Sequence, residues 1–206
     1  MIFLKKRLFA ILLIIVVLCM PFVYRFSKYY KIACEQYAST SLKGDITSKI
    51  NRQIMAYLNN SELNYSSITK VNYDKEDKIN SISVNTSILS ATALEISEII
   101  YNDLRHLKES YNFPLGNAFG LRSLSGKGPN LSISVVPLSA VNYRIESQLL
   151  SSGINQTLHR IFIVFESEIS CLAPFYETNI TIETTIIIAE TLIVGEVPPV
   201  LLPFDE

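Results

Sequence analysis

Arg160-Ile-Phe-Ile-Val-Phe-Glu-Ser-Glu-Ile-Ser-Cys171 alternates with a period of two. Ile161, Ile163, Phe165, Ile169 and Cys171 share one face, and Arg160, Glu166 and Glu168 the other, as in a strand with one dry and one wet side. The same pattern lies on either side. Leu131, Ile133, Val135, Val141, Tyr143, Ile145 and Leu149 keep one phase across Pro137, opposite Ser132, Ser134, Arg144, Glu146 and Gln148. Ile180, Ile182, Ile186, Ile188, Leu192 and Val194 keep another, opposite Glu183. Ser151-Ser152-Gly153 and Ala173-Pro174 are turns too short for a crossover, so the three long segments are antiparallel neighbours in a meander.

Upstream the period changes. Leu89, Ala93, Ile96, Ile100, Leu104 and Leu107 recur at helical spacing, with Glu95 and Glu98 early and Arg105 and Lys108 late, matching the helix dipole. Ile46, Ile50, Ile54 and Leu58 stripe an earlier helical segment over 31–58, in which Gly44-Asp45 is a candidate break. Residues 59–67 are Asn/Ser-rich and turn-like. Val71 and Tyr73, then Ile82 and Val84, alternate around Asp74–Lys78 and predict a hairpin. After the second helix, Tyr111-Asn-Phe-Pro114 opens a loop holding Gly116, Gly120, Gly126 and Gly128. The expected fold class is α+β: an N-terminal transmembrane helix, then helix, β-hairpin, helix and a long-stranded antiparallel β-meander, with helices on one face of the sheet.

The transmembrane expectation rests on Leu8–Tyr24, a run of 17 residues without a charge, at the short end of what crosses a hydrocarbon core of about 30 Å. No small-x-small site follows in Cys19–Arg25, which argues against a cleaved signal, and Leu18 before Cys19 does not suit a lipoprotein signal. Three basic residues flank each side. The short tail and its amine favour N-terminus in. The expected layout is therefore 1–7 as a short cytoplasmic tail, 8–24 as a transmembrane anchor, and 25–206 as a single extracytoplasmic α+β domain, a length suited to one core.

Net charge is -1, but six basic residues precede the first acid, Glu35, leaving 12 basic against 19 acidic residues from residue 32 onward. A domain of that sign repels phosphate backbones, so no nucleic-acid partner is expected. Cys34 and Cys171 are the one pair that could form a disulfide outside the membrane. The pairing is left open, with two unpaired thiols expected.

Chemistry-bearing patterns are sparse. His106 and His159 are the two imidazoles; His106 reads as a solvated helix residue and His159 as a turn cap at a strand entrance. No serine sits in a G-x-S-x-G elbow and no His/Cys pair has metal-ligand spacing, so neither a catalytic nor a metal site is expected. Five residues, not four, separate Gly120 from Gly126-Lys127-Gly128, and the terminal hydroxyl of a phosphate loop is missing, which predicts a structural glycine loop without a cofactor. Glu166 and Glu168 share a strand face about 7 Å apart, as a hydrolase pair or any wet strand would. Glu190 shares the phase of Ile186, Ile188 and Leu192, so it is expected to face the apolar side and to need a structural hydrogen bond there.

Ser151-Ser-Gly-Ile-Asn-Gln-Thr-Leu-His-Arg160 and Ile188-Ala-Glu-Thr-Leu-Ile-Val-Gly-Glu-Val-Pro198, together with Pro114-Leu-Gly-Asn117 and Gly126-Lys-Gly-Pro129, resemble the YunB family of endospore-forming bacteria. The likeness covers roughly residues 25 to 200. After Pro198 the chain continues Pro-Val-Leu-Leu-Pro-Phe, where the family pattern has a tyrosine soon after the proline. The resemblance implies a sporulation protein made in the mother cell, needed for endospore formation and held in the mother-cell or outer forespore membrane. It maps a signature of open role onto Gly153, Asn155, Gln156, Thr157, His159, Glu190, Gly195 and Pro198, and brings no catalytic residue or cofactor. The leading expectation is a non-enzymatic structural or interaction protein contacting another sporulation or envelope protein. The alternative is an extracytoplasmic lipid- or glycan-binding module, with an apolar groove formed where the strands curl around the second helix. No small-molecule substrate is identified.

Overall fold

A computed structural model describes residues 2–61, 63–76, 79–107, 111–153 and 155–194. Gly195 and Pro198 lie outside the described residues. The chain divides into two compact units, one drawn from residues 1–46, 104–138 and 168–180 and the other from 47–103, 139–167 and 181–206.

The second unit carries the expected α+β arrangement. Its elements come from α2 (Lys43–Asn60), α3 (Tyr65–Ile68), the antiparallel hairpin β1 (Thr69–Tyr73) and β2 (Ile79–Val84), α4 (Thr86–Arg105), β5 (Asn142–Ser151), β6 (Gln156–Ala173) and β7 (Tyr176–Val194). The helical stripes are buried as their spacing requires: Ile46, Ile50 and Ile54 on α2, and Leu89, Ala93, Ile96, Ile100 and Leu104 on α4. Ile50 and Ile100 border Phe165 of β6 and Ile182 of β7, and Leu89 clusters with Ile161 of β6, all buried. Removing each such side chain from water contributes roughly 1.5–3 kcal/mol, so a one-residue slip would forfeit the whole face. Among Ile50, Ile100, Val141, Phe165 and Ile182 only about 10 Å³ stays empty. That is too little for a ligand at this point of the core.

The sequence's first long strand is two strands. β4 (Asn130–Pro137) pairs antiparallel with β6 from Ser134↔Leu172 to Pro137↔Ile169, and β5 pairs with it from Asn142↔Glu166 to Ser151↔Thr157. Four residues, 138–141, intervene on one side and two, Ser167 and Glu168, on the other. An even difference keeps the phase, which is why Val135 and Val141 are both buried although Pro137 and the break separate them. Leu149 departs from expectation. It lies at the far end of β5 and is 64% exposed.

β7 departs too. Ile182 and Thr184 are buried, yet further on it is Ala189 that is buried, while Leu192 and Val194 are exposed. The alternation slips by one residue near Ile188, and each later side chain changes face. Glu190 therefore faces solvent, not the apolar side.

In the first unit, α1 (Ile2–Tyr37) is one helix that runs past the apolar stretch with Pro21 inside it. A five-residue π turn, Ala38–Leu42, follows. The Ser39 and Thr40 hydroxyls donate to the Gln36 carbonyl at 3.3 and 2.6 Å, competing with the i to i-4 ladder, so the break falls here and not at Gly44. β3 (Tyr111–Pro114), which reads as loop in the sequence, pairs with β4 through Phe113↔Leu131. Tyr111 and Phe113 are buried, and Phe113 meets the Tyr37 ring edge-on at 5.5 Å. Cys34 and Cys171 are buried free thiols.

Candidate functional site

Two interlocked segments stand out, one in each unit. In the second unit, the β5–β6 turn needs two residues with positive φ, Gly153 at 128° and Asn155 at 56°, and is closed by the Ser152 N–H donating to the Gln156 carbonyl at 2.9 Å. Gln156 and Thr157 open β6, with Thr157 opposite Ser151. His159 does not cap this turn. It points inward, 3% exposed, because it shares the odd-numbered phase of Ile161 and Ile163.

The imidazole joins three elements. Nδ1 lies 2.7 Å from the Tyr65 hydroxyl on α3, and Nε2 lies 2.8 Å from the Ser147 hydroxyl on β5. A neutral ring has one donor and one acceptor nitrogen, so each rotatable hydroxyl takes the complementary role. The Tyr65 ring also meets the imidazole edge-on at 5.7 Å. Burial lowers the His159 pKa below its usual value and so favours the neutral ring. Burial raises the Tyr65 phenol in turn. This serine–imidazole–phenol chain has the spacing of a nucleophile, base and orienting group. Its third member is a phenol, which does not supply the charge that a carboxylate gives an imidazolium.

α3 is what places Tyr65, within a stretch that reads as turn in the sequence. Asn64 caps it: its Oδ1 accepts from the Ser67 N–H at 2.8 Å, and the Ser67 hydroxyl in turn accepts from the Asn64 N–H at 3.1 Å. The motif is legible in Asn64-Tyr-Ser-Ser67.

On the wet face of the same sheet, the Arg160 Nε donates to Glu190 at 2.5 Å. The hydrogen bond expected for Glu190 exists, but at the surface. Arg144 gathers Glu146, Glu166 and Glu183 at 3.0–3.4 Å. Glu166 is thus one acid of a surface network. His106 is exposed past the end of α4, as its helical position implied.

In the first unit, Pro114-Leu-Gly-Asn117 and Gly126-Lys-Gly-Pro129 hold each other. The Leu115 N–H donates to the Pro129 carbonyl at 2.9 Å and the Gly116 N–H to Lys127 at 2.8 Å. Asn117 Oδ1 accepts from the Gly126 N–H at 2.8 Å and from the Ser125 hydroxyl at 3.2 Å. A Cβ on Gly116 would fall 1.9 Å from the Leu124 carbonyl oxygen, so no other residue fits there. Beside this loop opens a cleft of about 390 Å³ lined by Gln36, Tyr37, Thr40, Phe113, Asn117 and Arg122. Burial pushes the Cys171 thiol up to about 11, which favours its protonated form.

Among the described residues no group of three His, Cys, Asp or Glu side chains is placed to hold a metal. Among the described residues one helical segment is long and apolar enough to cross a membrane, with an 18-residue window of mean hydropathy 1.4. Fold and sites together define an α+β protein with one candidate membrane helix and two interlocked turn motifs. Residues 110–200 match the family model for Sporulation protein YunB (Spo_YunB). The resemblance read from the sequence holds over that stretch, which contains both interlocked motifs. No curated protein and no solved structure matches the chain.

Proposed function

We propose that the chain is a single-pass membrane protein of sporulating cells, whose folded part lies outside the cytoplasm and acts by binding another sporulation or envelope protein, without catalysis. The YunB match over residues 110–200 carries the sporulation role. Support for the membrane comes from α1, whose side chains from Leu13 to Tyr24 that are large and apolar are all more than half exposed, unlike those of a core helix. Support for a binding role comes from the signature residues: Gly153, Asn155 and His159 set a turn and pin a strand, work that shapes a surface. The resemblance supports placing it in the mother-cell or outer forespore membrane.

The test is complementation of a deletion strain. Full-length protein should restore spore formation, a version whose apolar run is replaced by a polar helix should not, and a phosphatase fused after Glu206 should be active only on the extracytoplasmic side. Crosslinking in sporulating cells should retrieve one envelope protein with the functional chain. If a Ser147→Ala chain accumulates at normal level and sporulates like the deletion, the non-enzymatic reading is wrong.

A further inference from the structure

Phe22 lies inside the uncharged run Leu8–Tyr24, and its ring packs on Phe119 at 6.5 Å. Phe26 packs on the same Phe119 at 5.1 Å. A residue that touches the apolar run sideways stands at the depth of that run, so the loop after β3 lies against the membrane-proximal part of α1. Helical rise makes 17 residues about 25 Å long, a few ångströms short of the hydrocarbon core of about 30 Å. Phe26 and Phe119 continue the apolar surface over the missing distance.

The β6–β7 turn reaches the same level. The Tyr30 hydroxyl donates to the Pro174 carbonyl at 2.6 Å, and the Tyr176 hydroxyl donates to Glu35 at 2.5 Å, so the turn is held to α1 from both sides. Between them Phe175 takes a positive φ of 62° and is fully exposed. That backbone conformation is unfavourable for a non-glycine residue, and here it turns a phenyl ring outward. Pro174 and Phe175 line an apolar cleft of about 300 Å³ with Val23, Phe26, Leu115 and Leu131.

The charges are arranged to match. Arg25 lies over the Tyr29 ring at 5.2 Å, one turn further from the apolar run, which carries its guanidinium away from hydrocarbon. Lys31 lies over the Tyr176 ring at 5.7 Å. Aromatic rings ringed by basic residues are what a membrane boundary selects.

We propose that the Phe175 turn and the Phe119 loop dip into the bilayer that α1 crosses, with Phe175 seated at the acyl-chain boundary. The bilayer thereby fixes the tilt of the first unit at two points besides the helix. This rests on α1 being a membrane span.

The chain has no tryptophan, so single-tryptophan versions of the full protein report depth directly. Phe22→Trp, Phe175→Trp and Tyr37→Trp are reconstituted into phosphatidylcholine and phosphatidylglycerol vesicles containing lipids brominated near the carbonyl end of the acyl chain. Tyr37 lies 13 residues beyond Tyr24 on the same helix, about 20 Å away. Phe22→Trp and Phe175→Trp should lose most of their emission to the brominated lipid, and Tyr37→Trp almost none. Because Phe175 is fully exposed, its replacement leaves the fold intact. Quenching of Phe175→Trp by aqueous iodide and not by lipid, while Phe22→Trp is quenched by lipid, overturns the proposal and leaves the span standing. No lipid quenching at Phe22 overturns the span, and the proposal with it.

Discussion

The Nδ1 of His159 and the hydroxyl of Tyr65 lie 2.7 Å apart, joining β6 to a four-residue helix 94 positions earlier in the chain. With the Ser147 bond on the other ring nitrogen, the imidazole ties three elements that share no local sequence. His159→Ala should remove both bonds and leave a small cavity, costing about 2–3 kcal/mol in urea unfolding of the detergent-solubilised chain. Its sporulation defect should follow protein abundance and be partly rescued by growth at lower temperature. Gly153→Val, at φ 128°, should be worse, because the turn itself is lost.

The same histidine gives a pH dependence with a definite sign. Burial lowers its folded pKa, so the unfolded chain, titrating near about 6.5, binds the proton more readily. Stability contributed by the neutral ring is then complete above about 6.5 and is lost as pH falls through the folded value. The urea midpoint of wild type should fall between pH 7.5 and pH 5 more steeply than that of His159→Gln. Equal slopes in the two proteins would show that His159 is not the titrating group.

Much of this fold is legible because the meander's faces alternate over most of their length. Ile161, Ile163, Phe165 and Ile182 are inside, as a period of two dictates. What was not legible has physical causes. A one-residue slip in β7 carries no signature in a row of Ile, Ala, Thr and Leu, so Glu190 was placed on the wrong face. β3 and α3 are too short to show a period at all. The two motifs around Gly116 and Gly126 were visible as motifs, but only the fold brings them within hydrogen-bonding distance. His159 was visible as a residue. Its partner Tyr65 was not, since nothing in the sequence links positions so far apart.

Two glycines should respond oppositely to alanine. At Gly116 a Cβ would meet the Leu124 and Lys127 carbonyl oxygens at 1.9 and 2.4 Å. Gly116→Ala must therefore spread the interlock, with a loss above about 3 kcal/mol. Gly44 sits in α2 with nothing within 4 Å of the added atom, so Gly44→Ala should raise stability by roughly 0.5–1 kcal/mol through helix propensity. Limited proteolysis of the two variants should place new cleavage in residues 114–129 for the first alone.

The inner face of β7 offers a substitution that should improve the protein. Thr184 is buried at 5% exposure, and its hydroxyl has no partner among the described residues. It borders the gap of about 10 Å³ beside Ile182, Phe165 and Ser167, barely the volume a water needs. A hydroxyl stripped of water without a replacement bond costs about 1–3 kcal/mol, and valine has nearly the same shape. Thr184→Val should therefore stabilise the chain by about 1 kcal/mol, read as a higher urea midpoint at unchanged slope. Ile182→Asp, two residues earlier on the same face, puts an unpaired carboxylate into that core and should abolish folding. Glu183→Lys between them, whose side chain reaches Arg144 on the wet face, should change the midpoint little. Destabilisation by Thr184→Val would mean that the hydroxyl is hydrogen-bonded to water in the gap, and the core at this point wetter than its side chains imply.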